Sequence, residues 1–274
     1  MFSVASMSEA GTVSLRQAAA VISNCSSPIV VIYGYSAFHY GNLDGGPSMS
    51  NRYSGSRVNT IQLIAIPALI TLAITVLRLI GEKQRWSATW FSPAAGGGGA
   101  LIGIVWLVPI FGVYFAVKLS NAGHAPARPG RVALFALLGL LIVVVGFVIA
   151  FQVSQPGLLG AQLSLGLAAV VATLLQRRAW PELFKTLLAY GYAARIPVTV
   201  IMFFAIRGNW GTHYDGPPPG FPTDIAWFPK FILIGVIPQL ILWIAFTVIV
   251  GTLFGAAAVA IVHRGKQQRV AAQA

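Results

Sequence analysis

The sequence predicts an all-α protein, a polytopic transmembrane helical bundle. Three observations carry this. Hydrophobic residues make up 57% of the 274-residue chain and charged residues 9%, against about 45–50% and about 25% in ordinary soluble domains. The apolar residues gather in six runs, each near the roughly 20 residues that a bilayer-spanning helix needs. The charges fall at the ends of these runs, with 18 Lys/Arg against 6 Asp/Glu and a formal net charge of +12. Such a composition excludes a disordered chain, a coiled coil and a soluble multidomain enzyme.

The chain opens on a Ser/Gly/Asn-rich segment, residues 1–48. Its apolar patch, Ile29 to Tyr40, is too short to span. This segment is expected to be disordered, or to precede a true start at Met49. Residues 49–263 then read as a single transmembrane domain and 264–274 as a basic cytoplasmic tail. The expected spans are 61–81, 100–119, 131–151, 158–176, 187–206 and 238–262. The fifth has an amphipathic lead-in from Glu182, where Leu183, Phe184, Leu187 and Leu188 alternate with Lys185 and Thr186. The sixth is longer than a bilayer requires, so Pro238 is expected to bend it or to set off an interfacial lead-in over 225–237.

The cations orient the bundle. Twelve fall on one side, in the N-terminal segment, the 118–131 and 177–185 segments and the tail. Five fall on the other: Arg78, Lys83, Arg85, Arg207 and Lys230. Cytoplasmic loops are enriched in Lys and Arg, so both termini are expected in the cytoplasm of a bacterial inner-membrane protein. Arg78 is read as a helix-end residue that snorkels to the interface. Because the positive charge is dispersed beside apolar runs, it is an orientation signal, and nucleic acid is excluded as a partner. The lone Cys25 excludes an internal disulfide.

Small residues recur at helical spacing. Gly160, Ser164, Ala168 and Ala172 share one face of the fourth run. In the sixth, Gly251 and Gly255 form a literal GxxxG. Such faces allow close helix approach, either within the chain or in a homodimer.

Arg195 is the charge of greatest interest. It falls eight residues into the fifth span, about 12 Å deep, and intramembrane charges usually face a cavity or a partner. Pro197 follows and cannot bond the carbonyl of Ala193, so a helix break beside a buried cation could form an anion or lipid-headgroup site. Alternatively, the helix start lies along the interface and Arg195 reaches cytoplasmic phosphates. None of the six acids, Glu9, Asp44, Glu82, Glu182, Asp215 and Asp224, falls inside a span as read here. The buried carboxylate that ion-coupled carriers commonly use is therefore missing from this reading. On the outer side, Trp210, His213, Tyr214 and Asp215 are candidates for recognition or for a structural cap over the helix ends. His213 and Asp215 alone cannot close a zinc site. Gly96–Gly99 lacks the Lys-Ser/Thr of a nucleotide-binding loop and is expected to act as a hinge into the second span. No catalytic motif is present, and neither a cofactor nor a metal is expected.

The stretch Glu-Leu-Phe-Lys-Thr-Leu-Leu-Ala-Tyr-Gly-Tyr-Ala-Ala-Arg-Ile-Pro, Glu182 to Pro197, resembles the corresponding part of bacterial Yip1-type multi-pass membrane proteins. That resemblance implies five spans, a cytoplasmic N-terminus and no enzyme activity. The chain departs from it in having six runs and in lacking an Asp-Leu-Tyr-Gly-Pro motif. The functional expectation is a non-enzymatic membrane scaffold or accessory subunit, with protein partners in the bilayer or a second copy of itself. The alternative is a carrier or channel for a small solute or anion, built on Arg195 and Pro197.

Overall fold

A computed structural model describes residues 58–150 and 157–271, and among them every regular element is a helix. The N-terminal segment 1–48 lies outside the described residues. Helix α1 is Thr60–Lys83. Its first turn is capped by the Asn59 side-chain oxygen, which accepts from the Ile61 and Gln62 amides at 3.0 and 3.3 Å, as an N-cap asparagine should. Helix α2, Leu107–Leu119, runs into a π-helical turn, Ser120–His124. Helices α3, Pro129–Val148, and α5, Pro181–Gly208, both start on a proline, whose missing N–H costs nothing at that position. Helix α4, Gly157–Ala179, lies between them. The short α6, Trp227–Lys230, leads through two π-helical turns, Phe231–Val236 and Pro238–Leu242, into α7, Trp243–Ala271.

Four helical stretches are long and apolar enough to cross a membrane: Thr60–Lys83, Pro129–Val148, Pro181–Gly208 and Trp227–His263. The helical membrane class follows, with four such stretches among the described residues where the sequence reading expects six. The second run differs most. Its first residues never enter the helix, because the Leu101 and Ile102 amides donate back to the Thr89 and Trp90 carbonyls at 3.1 Å. The 13 residues left in α2 rise about 20 Å, well short of a hydrocarbon core of about 30 Å. Two other expectations are corrected. Pro238 does not separate an interfacial lead-in from the last span, since it sits between two π-helical turns in one helical path. Pro197 does not break α5, which stays helical through it. Prolines are tolerated in membrane helices where neighbouring groups take up the freed backbone positions. Here the Thr199 hydroxyl also bonds the Arg195 carbonyl at 2.9 Å.

Large apolar side chains cover the outer faces of α1 and α3: Ile66 and Leu69 on one, Leu134, Leu141 and Val144 on the other, all exposed. Apolar faces of this extent require a hydrocarbon surround. The inner surface is organised by α7, which packs against α2, α3, α4 and α5. Phe111 and Phe115 of α2 meet Tyr190 of α5 edge-on, with centroids 5.5 and 5.4 Å apart.

Glycine sets how closely α2 and α7 approach. A Cβ at Gly112 would stand 2.6 Å from the Gly251 Cα, and one at Gly255 would stand 2.8 Å from the Ala116 Cβ. A Cβ at Gly146 would likewise strike Ala168, and Ala172 is fully buried. Gly251, Gly255, Ala168 and Ala172 therefore pack against helices of this same chain, while Gly160 and Ser164 are half-buried. Because the neighbour at Gly112 is backbone, it cannot rotate away. Gly112→Ala is expected to cost about 1–3 kcal/mol, the usual range for overpacking, read as a lower midpoint in a thermal melt of the detergent-purified protein.

Candidate functional site

A cavity of about 280 Å³ lies among α1, α5 and the π-helical turns. Ile74, Thr75 and Arg78 of α1 form one wall. Arg195, Val198 and Met202 of α5 form another, and Leu233, Ile234, Pro238, Gln239 and Trp243 a third. Gly96 and Gly97 from one loop, His213 and Tyr214 from the other, and Gln162 of α4 also line it. The π-helical turns matter here. Each inserts a residue into the helical register, and such insertions re-aim side chains beside functional sites. Gln239 lies in the second of these turns and hydrogen-bonds Arg195.

Arg195 is buried, at 4% exposure, so it does not reach the lipid phosphates. Its Nη1 donates to Gln239 Oε1 at 3.2 Å, and its guanidinium lies 4.5 Å from the Trp243 ring centroid. Both partners are neutral. Among the described residues no carboxylate pairs with it. Gly208, the last residue of α5, lies thirteen positions beyond Arg195. That places the cation about 20 Å from the loop end of the helix.

A second buried arginine stands nearer the loops. Arg78, expected to snorkel from its helix end, is instead 7% exposed and faces inward. Its Nε donates to Glu82 Oε1 at 2.8 Å, and Nη2 donates to the Ser92 and Gly97 carbonyls at 3.2 and 3.1 Å. Gly97 reaches this position with φ of +74°, and Gly96 with +72°, a region glycine enters without strain. The expected hinge is thus a fixed turn on the cavity rim. Glu82 is the second correction. The first span expected from sequence, 61–81, stops one residue short of this acid. The helix continues to Lys83, and the Glu82 side chain is fully buried.

Glu82 fastens the outer loop to α1. Its Oε2 accepts from the His213 backbone amide at 2.9 Å, and its Oε1 meets His213 Nδ1 at 2.5 Å. The Tyr214 hydroxyl donates to the Thr75 carbonyl at 3.1 Å, and Lys83 lies over the Trp210 ring at 5.4 Å. Asp215 closes the turn from within, accepting from the Gly211 and Thr212 amides and the Thr212 hydroxyl at 2.7–2.9 Å. The four outer-loop residues, candidates for recognition or for a structural cap, are thus engaged with α1, with the cavity or with their own turn.

Burial is the largest influence on the His213 ring and pulls its pKa below the ordinary 6.5, against the opposing hydrogen bond from Glu82. A depressed pKa makes the folded form resist protonation. Stability from this group is complete above about pH 6.5 and declines as the pH falls towards the folded-state pKa, because the unfolded chain then binds the extra proton. The melting temperature is expected to drop between about pH 7.5 and 5.5, and His213→Gln is expected to lessen that drop.

Sequence reasoning reached Arg195 and His213 but missed Arg78, Glu82, Gln239 and Trp243. The Arg78–Glu82 spacing of four places two opposite charges on one helix face and was the available signal. No protein-family model, curated protein or solved structure matches the chain.

Proposed function

We propose that the protein is a multi-pass carrier or channel for a small anion, lying in a bacterial inner membrane with both termini cytoplasmic. The observation that carries this reading is Arg195, a buried cation on the wall of a cavity, without a carboxylate partner among the described residues. A buried ion is costly, and charges held inside membrane helices mark solute pathways more often than packing. Arg78, on the α1 wall nearer the loops, lines the same cavity with its charge matched by Glu82. In this reading the chain is not an enzyme and needs no cofactor. The scaffold or accessory-subunit alternative draws little support from the small-residue faces, because Gly251, Gly255, Ala168 and Ala172 are spent on the chain's own helices.

The test is flux in proteoliposomes, with nitrate, lactate and sulfate as probes. Uptake above protein-free vesicles is expected for at least one of them, and it should collapse in Arg195→Ala. A folded wild-type protein that moves none of the three overturns the proposal. The orientation is checked separately by single cysteines placed from Trp210 to Asp224. Impermeant thiol reagents should label them from outside intact cells, and labelling confined to the cytoplasmic side would reverse the topology.

A further inference from the structure

The anion reading leaves one arrangement unused: His213, Glu82 and Arg78 share a single carboxylate at the cavity wall. Glu82 Oε1 takes Arg78 Nε at 2.8 Å and His213 Nδ1 at 2.5 Å. An ionised carboxylate can only accept, so Nδ1 carries the ring hydrogen and Nε2 is the free base. Among the described residues nothing hydrogen-bonds Nε2, and nothing accepts from Arg78 Nη1. The surrounding charges have other commitments. Asp215 is held by its own turn, Lys83 lies over Trp210, and Arg195 stands on the cavity wall from α5. The Tyr214 ring lies 3.8 Å from the imidazole, centroid to centroid.

We propose that His213 is a proton site linked to anion binding, so that a proton and an anion occupy the protein together. This rests on the anion reading above. With the ring neutral, the Glu82 charge is matched by Arg78 and the pair presents no net charge to the cavity. A proton arriving at Nε2 makes the imidazole a cation, and Glu82 must then serve two. Arg78 is left with positive charge that its carboxylate no longer cancels, and an anion in the cavity balances it. The proton adds one charge and a monovalent anion removes one, so the buried cluster ends no more charged than it began. The burial that holds the empty site's ring neutral near neutral pH makes this uptake conditional on the anion. The carboxylate missing from the sequence reading is Glu82, which acts here by holding Arg78 until the proton arrives.

The experiment is calorimetric titration of the full-length protein in detergent with nitrate, lactate and sulfate, none of which changes charge between about pH 5.5 and 8. Paired buffers of different ionisation heat count the protons taken up. About one proton per monovalent anion is expected, with affinity rising up to about tenfold for each unit the pH is lowered, since the linkage is reciprocal. His213→Gln should bind without proton uptake. Glu82→Gln should also lose the uptake, with its affinity at pH 8 raised towards the wild-type value at pH 5.5, because Arg78 is released permanently. Anion binding by the wild type without proton uptake overturns this inference and leaves the anion reading intact, as does proton uptake that survives in His213→Gln. Failure of the folded wild type to bind any of the three overturns both.

Discussion

Arg195→Met is expected to weaken anion binding strongly while leaving the melting temperature close to that of the wild type. The two halves of this result have separate causes. A hydrogen bond to a charged group contributes about 1.5–3 kcal/mol, so losing the guanidinium should weaken the anion by roughly ten- to 150-fold. Stability responds in the other direction. The buried cation is balanced by one neutral hydrogen bond, to Gln239, and by the face of Trp243. Replacing a buried ion with an apolar side chain of similar volume is often neutral or stabilising by about 1–4 kcal/mol. Against this stands the Gln239 oxygen, which loses its donor at a cost of about 1–3 kcal/mol. Arg195→Lys keeps the charge but loses the planar fork and the ring stacking, and should retain weak binding. Calorimetric titration and a thermal melt on the same preparations check the prediction. Lost stability with unchanged binding would make Arg195 a structural residue.

Glu82→Ala is expected to be the most destabilising single change at the site. Removing one partner of a buried ion pair typically costs about 3–5 kcal/mol, because the other charge is stranded. Here the loss strands more than Arg78. The His213 amide and ring lose their acceptor, and with them the outer loop loses its attachment to α1. At roughly 2–4 °C per kcal/mol for a domain of this size, the midpoint should fall by about 6–20 °C. Glu82→Gln keeps a carbonyl acceptor and should fall less. The double variant Glu82→Ala with Arg78→Met removes both charges and should recover part of the loss. That positive coupling separates ion pairing from a general packing defect. A loss no smaller in the double variant would contradict the pairing argument.

The fold was more legible than the site, and the difference follows from the range over which each is encoded. A membrane helix declares itself within about 20 residues of its own sequence, by apolar content alone. The first, third, fifth and sixth runs accordingly became long apolar helices. The second run failed in its first residues because backbone bonds to Thr89 and Trp90 diverted Leu101 and Ile102 from the helix. No local count of apolar residues registers that competition. Pro197 misled for a related reason. Its local rule forbids one hydrogen bond, while the packed surroundings of α5 keep the rest of the helix in place.

Glu82 shows the limit most clearly. One residue beyond the expected end of the first span, it read as a loop acid, because a carboxylate at a membrane boundary is cheapest in water. Its burial depends on His213, 131 positions away, and on Arg78 turning inward rather than outward. The sequence by itself determined that this chain forms apolar helices for a bilayer and that Arg195 falls within one of those apolar runs, with burial and reach to the interface both open. Both follow from hydrophobicity summed along the chain. Only the tertiary structure decided that Arg195 has neutral partners, that Arg78 is buried, and that Glu82 joins α1 to the outer loop. Those outcomes depend on which helix faces meet, and charges are tolerated in so apolar an interior only where packing supplies the hydrogen bonds that water would have made.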